Sequence, residues 1–458
     1  MVFFLLSKIY FMRLLYFLLK IFLQYPFRLI FSKIKFVNAD KHFFGRTIYV
    51  CNHPASFLDP LVIAVLQRPI VFFMTRSDVF KPLLQPILWA SHMLPIYREQ
   101  DGEDTKSKND AVFNKCTNVL KYGRSLMIFG EGFTDDVFIR RLKPFKKGAA
   151  RIGFGSLVAL NWEKKIYMKA VGTNYSDPNY LGSQTLISNS ESICLNDYKE
   201  MYEQNSSKAI NEVTKRIEVL LQNQITHVEN KDWVFFHEHV ARLKKFGLDP
   251  VDTDFSIPLK KRWQNSREFA LWMNAQNLDE NIELTELKKE LDAFFRLIKK
   301  MKLEERFLNE LSQTKKLSTS SELLKLIFLS PFVLIGLINF YPPYIFVKRF
   351  AEKSFKRRVF WSSVKMMLGF LVIALWNMPI MYLLNYFVIK NGLISLGIYL
   401  ILPIFGRISY GWKRTLKTYL TKKKLQKADL SSILDKRSKL IEKIDNLCAD
   451  YFKMRSNS

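Results

Sequence analysis

Three stretches without a single charge, at 326–347, 366–389 and 391–406, constrain what this chain can become more than any other feature. A helix that crosses a bilayer needs about 20 mainly apolar residues. The segment KRFAEKSFKRR separates the first two stretches. Lys413, Arg414, Lys417 and the cluster Lys422-Lys423-Lys424 follow the third. Basic flanks stay on the cytoplasmic side of a membrane. Both can do so if the second and third stretches form a hairpin turning at Lys390-Asn391-Gly392. The first stretch, interrupted by Pro331, Pro342 and Pro343, is then re-entrant or lies in the interface. An ordinary single crossing there would put a very basic loop on the wrong side.

The first 36 residues are also apolar, but Lys8, Arg13 and Lys20 interrupt them. No small-residue cleavage site follows, so a cleaved signal peptide is not predicted. The pattern suits an amphipathic helix in the membrane interface, its basic side chains snorkelling to phosphates. A tilted transmembrane anchor is the alternative. The formal net charge of +28 calls for a polyanionic partner. Nucleic acid would satisfy the charge but leaves the uncharged stretches unexplained. A membrane satisfies both. Cys51, Cys116, Cys194 and Cys448 are far apart and form no CxxC pair. They predict neither a zinc site nor a disulfide framework, and fit a reducing, cytoplasmic setting.

Between these apolar ends the pattern changes. The runs TIYVC, IVFFM, LMIFG and IYMKAVG read as strands, with helical segments such as 110–122 and 149–160 between them. Such alternation predicts an α/β fold, a mainly parallel or mixed sheet flanked by helices. The polar stretch REQDGEDTKSKND (98–110) reads as a mobile surface loop. The expected organisation is a membrane-associated helix over 1–36, an α/β catalytic domain over 37–230, and a charged helical segment over 231–320. A partly transmembrane hydrophobic region over 321–410 and a basic helical tail over 411–458 complete it. The charged segment has helical apolar spacing and reads as a solvated hairpin.

One short phrase carries chemistry: CNHPASFLDP, which places His53 and Asp59 six positions apart. On a regular helix six positions turn about 240°, so the pair cannot share one helical face. An irregular strand-to-helix turn can bring them together. His53 would end the strand, Asp59 would be the N-cap and Pro60 would open the helix. An Asp beside an imidazole fixes its tautomer and leaves the other nitrogen to take a proton. The plain alternative is an Asp that only caps and a His that only packs. Further along, IVFFMTR places Arg76 after an apolar strand, and LMIFGEG places Gly130-Glu131-Gly132 after another. Arg140, Arg141, Lys143, Lys146 and Lys147 follow in RRLKPFKKGAARIGF, then KAVGTNY (169–175). His237 and His239 in FFHEHV have no third ligand, so they predict a surface helix and no metal. GFGSL lacks the G-x-S-x-G pattern, and no Gly-rich nucleotide loop is present.

Across residues 50–178 these phrases resemble, in order, the four motifs of the glycerolipid acyltransferases, the family of glycerol-3-phosphate and 1-acylglycerol-3-phosphate acyltransferases. NHPASFLD resembles the first block, FMTR the second, IFGEG with FKKGAARIGF the third, and AVGTNY the fourth. Five residues separate His53 from Asp59 where four are usual, which looks like a longer-spaced branch of the family. Gly130 stands where Pro is usual. Phe133-Thr134 stands where a Thr-Arg or Ser-Arg pair is usual, and the fourth block lacks its Pro. The resemblance implies a membrane-bound enzyme with His53, oriented by Asp59, as general base. It would move an acyl group from acyl-CoA or acyl-carrier protein to a glycerol-phosphate or lysophospholipid hydroxyl, without a cofactor. Arg76 would grip the acceptor phosphate bidentately. Glu131 and Gly132 would shape its site. Lys146 and Lys147 would add charge, and Asn52 would hold the turn or donate near the oxyanion. The acceptor stays open among glycerol 3-phosphate, dihydroxyacetone phosphate and lysophosphatidic acid. A non-catalytic lipid-binding protein on the same fold is the rival.

Overall fold

A computed structural model describes residues 2–82, 85–97, 105–132 and 134–456. The chain forms two units. One holds everything up to Tyr175 together with Gln184–Glu229; the other holds Ser176–Ser183 and everything from Asn230 onward.

The first unit begins with α1 (Val2–Ile30) and β1 (Lys33–Val37). It continues through β2 (Thr47–Cys51), α2 (Leu58–Leu66), β3 (Val71–Arg76), α3 (Gln85–Ala90) and β4 (Met93–Ile96). Then come α4 (Thr105–Lys121), β5 (Ser125–Phe129), α5 (Gly148–Ala159), β6 (Tyr167–Tyr175), β7 (Gln184–Cys194), α6 (Lys199–Gln204) and α7 (Ser206–Gln222). The strands make one seven-stranded sheet in the order β1-β7-β6-β2-β5-β3-β4. All pairs are parallel except the β6–β7 hairpin, so the sheet is mixed and flanked by helices, as the alternation predicts.

Side chains alternate across β2 with the strand period of two. Ile48 and Val50 enter the main core with Leu126, Met168 and Ala170. There they meet Val112, Cys116 and Leu120 of α4, Phe154 and Leu157 of α5, and the α7 stripe Ala209, Val213, Ile217 and Leu221. Each such aliphatic or aromatic side chain contributes about 1.5–3 kcal/mol on burial. On the opposite face Tyr49 donates to Asp40 Oδ2 (2.9 Å), and Gln67, just past α2, bonds Asn189 (3.2 Å). In the stretch 98–110, residues 98–104 lie outside the described residues. Residues 105–110 are not loop but the first turns of α4, a helix held down by Val112, Cys116 and Leu120 at successive i+4 positions.

α1 departs from expectation in which face it buries. Lys20 does not snorkel outward. Its Nζ donates to Ala64 O (2.8 Å) and Gln67 O (2.5 Å), the free carbonyls at the C-terminal end of α2. A cation there satisfies orphan acceptors and the negative end of the helix dipole. The outward face of α1 is apolar: Leu14, Leu18, Ile21 and Phe22 are all exposed. The side chains of Lys8 and Arg13 lie outside those described.

The second unit opens with α8 (Val234–Leu243), α9 (Leu259–Asn274), α10 (Ile282–Lys300) and α11 (Glu305–Thr314). α10 buries the stripe Leu284, Leu287, Leu291, Phe294, Phe295 and Ile298. His237 and His239 are not on a surface helix. His237 is buried with Nε2 2.8 Å from Ser266 O, and His239 stacks on Phe295 at 4.1 Å. Two positions apart, the rings face different neighbours because α8 is covered on both sides. No group of three metal-ligating side chains occurs among the described residues.

Next come α12 (Ser320–Asn339), α13 (Tyr341–Ser354), α14 (Trp361–Leu384), a π-helical turn (Asn385–Ile389) and α15 (Gly392–Leu425). The helices at Ser320–Asn339, Arg358–Ile389 and Gly392–Leu425 are long and apolar enough to cross a membrane. Many of their large apolar side chains face outward, among them Phe328, Leu334, Leu375 and Ile401. That pattern suits lipid. α12 and α15 run antiparallel and touch closely. Ser409 Oγ donates to Val333 O (3.0 Å), and Lys422 Nζ reaches Glu322 (3.0 Å). A Cβ on Gly336 would lie 2.3 Å from Phe405 O, so only glycine allows this approach.

The chain reverses at Phe340, and α13 returns along α14. Asn377 Nδ2 donates to Asn339 O (3.0 Å), while Lys365 pairs with Glu352 (2.7 Å) further back. α13 therefore runs back along the bundle in the direction opposite to α12. α14 and α15 reverse at Lys390, which adopts φ +51°, and the Asn391 side chain caps α15. The turn is where the sequence places it. The basic segments on either side of the bundle lie at its same end. The tail helices are α16 (Ser431–Leu447) and α17 (Ala449–Ser456), and Arg437 Nε donates to the buried Glu305 (2.8 Å).

Candidate active site

β2, β3, β5 and β6 run parallel, so their C-terminal ends share one edge of the sheet. In open α/β sheets, functional loops leave from this edge. CNHPASFLDP leaves β2 there, Arg76 ends β3, Gly130-Glu131-Gly132 follows β5, and Tyr175 ends β6.

His53 sits two residues beyond β2, in a turn that contains Ser56 at φ +55°. α2 begins at Leu58 with Phe57 at its N-cap. Asp59 is therefore not the N-cap. It lies inside the first turn, as Pro60 does, and its carboxylate folds back over the preceding chain. Oδ2 accepts from Ala55 N (2.9 Å) and lies 3.0 Å from His53 Nδ1. Oδ1 accepts from Tyr175 O–H (2.9 Å). The six-residue step that no helix could close is closed by this turn. Asp59 is fully buried. Burial raises its carboxyl above the ordinary range, opposed by the bonds from His53, Ala55 and Tyr175. The His53 ring stacks on Phe129 at 4.1 Å and keeps 19% of its side chain exposed. Nε2 has no hydrogen-bond partner among the described residues. With Nδ1 turned to the carboxylate, Nε2 is the nitrogen available to a substrate.

Asn52 is occupied elsewhere. Its Oδ1 accepts from Thr173 N (2.8 Å) and Thr173 Oγ1 (3.0 Å), and its Nδ2 donates to Thr173 O (3.1 Å). The side chain clips the end of β2 to β6 and holds the turn. Glu131 is buried, and Oε1 accepts from His53 N (2.7 Å). Burial pushes its carboxyl up to about 7, opposed by the amides of His53 and Lys143 and by the Lys143 charge. Glu131 thus fixes the backbone of His53 from the β5 side.

The basic run divides by environment. Arg140 is buried and its Nη1 donates to Tyr175 O (2.8 Å). Arg141 donates to Glu229 O (3.0 Å), and Lys143, also buried, pairs with Asp135 (3.2 Å). Lys146 and Lys147 are exposed, just ahead of α5. Gly132 has φ +73°, and a Cβ there would lie 3.0 Å from Lys146 Cδ, so the glycine lets the lysine run alongside. At Gly130, where the resembling family usually has Pro, the space is filled by a neighbour. A Cβ at 130 would lie 2.7 Å from Phe145 Cζ. The backbone of Arg76 pairs with Ile96, but its side chain lies outside those described. Tyr175 and Thr173 were missed in sequence. Their only signal was a polar end to an otherwise apolar strand.

Among solved structures, the chain is similar to the 1-acyl-sn-glycerophosphate (LPA) acyltransferase, PlsC, from Thermotoga maritima. The identity is 15% and the TM-score 0.31, over 47% of this chain and 82% of that one. Comparison with curated proteins gives no match. Residues 33–156, the stretch that holds His53, Asp59 and Glu131, match the model of the family described as Acyltransferase.

Proposed function

We propose that the protein is a membrane-bound O-acyltransferase of phospholipid synthesis, with His53 as general base and its catalytic domain on the cytoplasmic face. The observation that carries this reading is the 3.0 Å contact of His53 Nδ1 with the buried Asp59, which leaves Nε2 free at the functional edge of the sheet. The match of residues 33–156 to acyltransferases supports the reaction class.

In this reading Nε2 takes the proton of a glycerol hydroxyl as its oxygen attacks the thioester carbonyl. The tetrahedral intermediate collapses, the C–S bond breaks, and the imidazolium returns the proton to the leaving thiolate. Asp59 stabilises the transient imidazolium. General base catalysis of this kind is worth about 10²–10⁴-fold. Lys146 runs alongside Gly132 and Lys147 follows it, both exposed, and with Arg76 they would hold the acceptor phosphate. Asn52 and Glu131 would keep the His53 turn in place. The acyl donor is acyl-CoA or acyl-carrier protein, and the acceptor a glycerol phosphate or lysophosphatidic acid. The apolar outer face of α1 and the three long apolar helices support attachment to a membrane.

The test offers the purified protein, in lipid, glycerol 3-phosphate and lysophosphatidic acid with each donor, and reads products by mass. His53→Ala should lose about 10³-fold or more in kcat while still binding vesicles. No acylated product with any pairing would overturn the reading in favour of a non-catalytic lipid-binding protein.

A further inference from the structure

Asp59 has more than one partner, and the partners divide its two oxygens between them. Oδ2 serves the turn, through Ala55 N–H and His53 Nδ1. Oδ1 serves β6, through the Tyr175 hydroxyl. An Asp carboxylate rotates about χ2 in a broad, roughly two-fold well. Ala55 and His53 hold one oxygen; a donor on the other stops the group from turning. We propose that Tyr175 is a positioning residue for the His53–Asp59 pair. From the end of β6, its hydroxyl fixes the plane of the Asp59 carboxylate, so that one oxygen stays on His53 and Ala55.

This inference rests on the reading of His53 as general base, and deepens it. Tyr175 is itself firmly placed. It is fully buried, its ring stacks with Phe31 at 6.0 Å and meets Phe138 edge-on, and Arg140 holds its carbonyl. Burial and the charge of Asp59 push its phenol well above the ordinary range, so it stays a donor. β6 uses one face twice. Thr173 grips Asn52 and, two residues on, Tyr175 grips Asp59, so the strand holds both sides of His53. The other titratable groups facing Asp59 are His53, Cys51 and Glu131. Of these only His53 donates a side-chain hydrogen bond to it, so none replaces the phenol.

Tyr175→Phe removes the hydroxyl and keeps the ring. The expected result is a kcat about tenfold lower, with KM for donor and acceptor unchanged. A carboxylate turned away from His53 no longer holds the pair as the wild type does, so the acid limb of the pH–kcat profile should move by about half a unit to one unit. A determined structure of the variant should show the Asp59 carboxylate turned away from His53 Nδ1. A purely structural role would lower thermal stability but leave the acid limb where it is. An unmoved limb, wild-type kcat and an unturned carboxylate overturn the inference. If the wild-type protein makes no product, the acyl-transfer reading fails on its own. The carboxylate orientation in Tyr175→Phe then decides the positioning role by itself: turned supports it, unturned overturns it.

Discussion

Replacing Gly130 with the proline usual in the resembling family should damage this protein. A Cβ at 130 would fall 2.7 Å from Phe145 Cζ and 2.8 Å from both ring Cε atoms. Carbon atoms prefer about 3.5–4.0 Å, so the ring or the chain must move. Overpacking of this kind costs about 1–3 kcal/mol. Proline also removes the N–H that Gly130 donates to Cys51 O at 3.3 Å, worth about 0.5–1.5 kcal/mol. The stiffer unfolded chain returns about 0.4–1 kcal/mol. The net loss is centred on about 2 kcal/mol, or roughly 4–8 °C in the midpoint of thermal unfolding. Activity should fall as well, because Gly130 precedes Glu131, whose carboxylate holds the His53 amide. Gly130→Ala isolates the clash, and adding Phe145→Leu should recover most of the loss. Thermal unfolding in detergent followed by tryptophan fluorescence measures each variant. A Gly130→Pro protein that melts with the wild type would refute the reasoning. A Gly130→Ala loss that Phe145→Leu leaves untouched would show that the ring is not the cause.

Glu131 gives a pH dependence with a definite sign. Its carboxyl sits at about 7 in the fold against an ordinary value near 4.5, so its contribution to stability is full below about 4.5 and is lost as pH rises to about 7. The total is about 3 kcal/mol. Glu131→Gln should flatten this slope in denaturant titrations at pH 5 and pH 8; an unchanged slope would sink the assignment. Lys146→Ala with Lys147→Ala should raise KM for a phosphate acceptor about tenfold and leave melting unchanged, whereas Arg140→Ala, which removes a buried bond to Tyr175 O, should lower the melting point. If the lysine pair leaves KM alone, those side chains do not bind the acceptor. Reporter fusions at Lys353 and Lys422 should map to one face of the membrane, since α13 runs back along the bundle in the direction opposite to α12. Opposite faces would break that topology.

Much of the site was legible in sequence because its carriers are local. Each motif directly follows a strand, and parallel strands deliver their C-terminal ends to one edge whatever the details of packing. The Lys390 turn and the long apolar helices were legible for the same reason, as patterns of neighbours. Which side chains work together was not. Lys20 reads as a snorkelling base and instead caps α2, because the nearest orphan carbonyls are 44–48 positions away in sequence. Five cations follow Glu131, and sequence cannot tell that Arg140, Arg141 and Lys143 are spent on protein partners while Lys146 and Lys147 face outward.

CNHPASFLDP by itself determined that His53 and Asp59 need an irregular turn, because helical geometry forbids any other way to meet. Only the tertiary structure decided how that turn is held. Asp59 lies within α2 and not at its cap, and its second oxygen belongs to Tyr175, 116 positions away. Glu131, 78 positions from His53, holds the His53 backbone N–H at the start of the turn. Local sequence sets the reach of a side chain through its backbone period and turn chemistry. The choice among the partners within that reach is made when β2, β5 and β6 pair and bury their ends together.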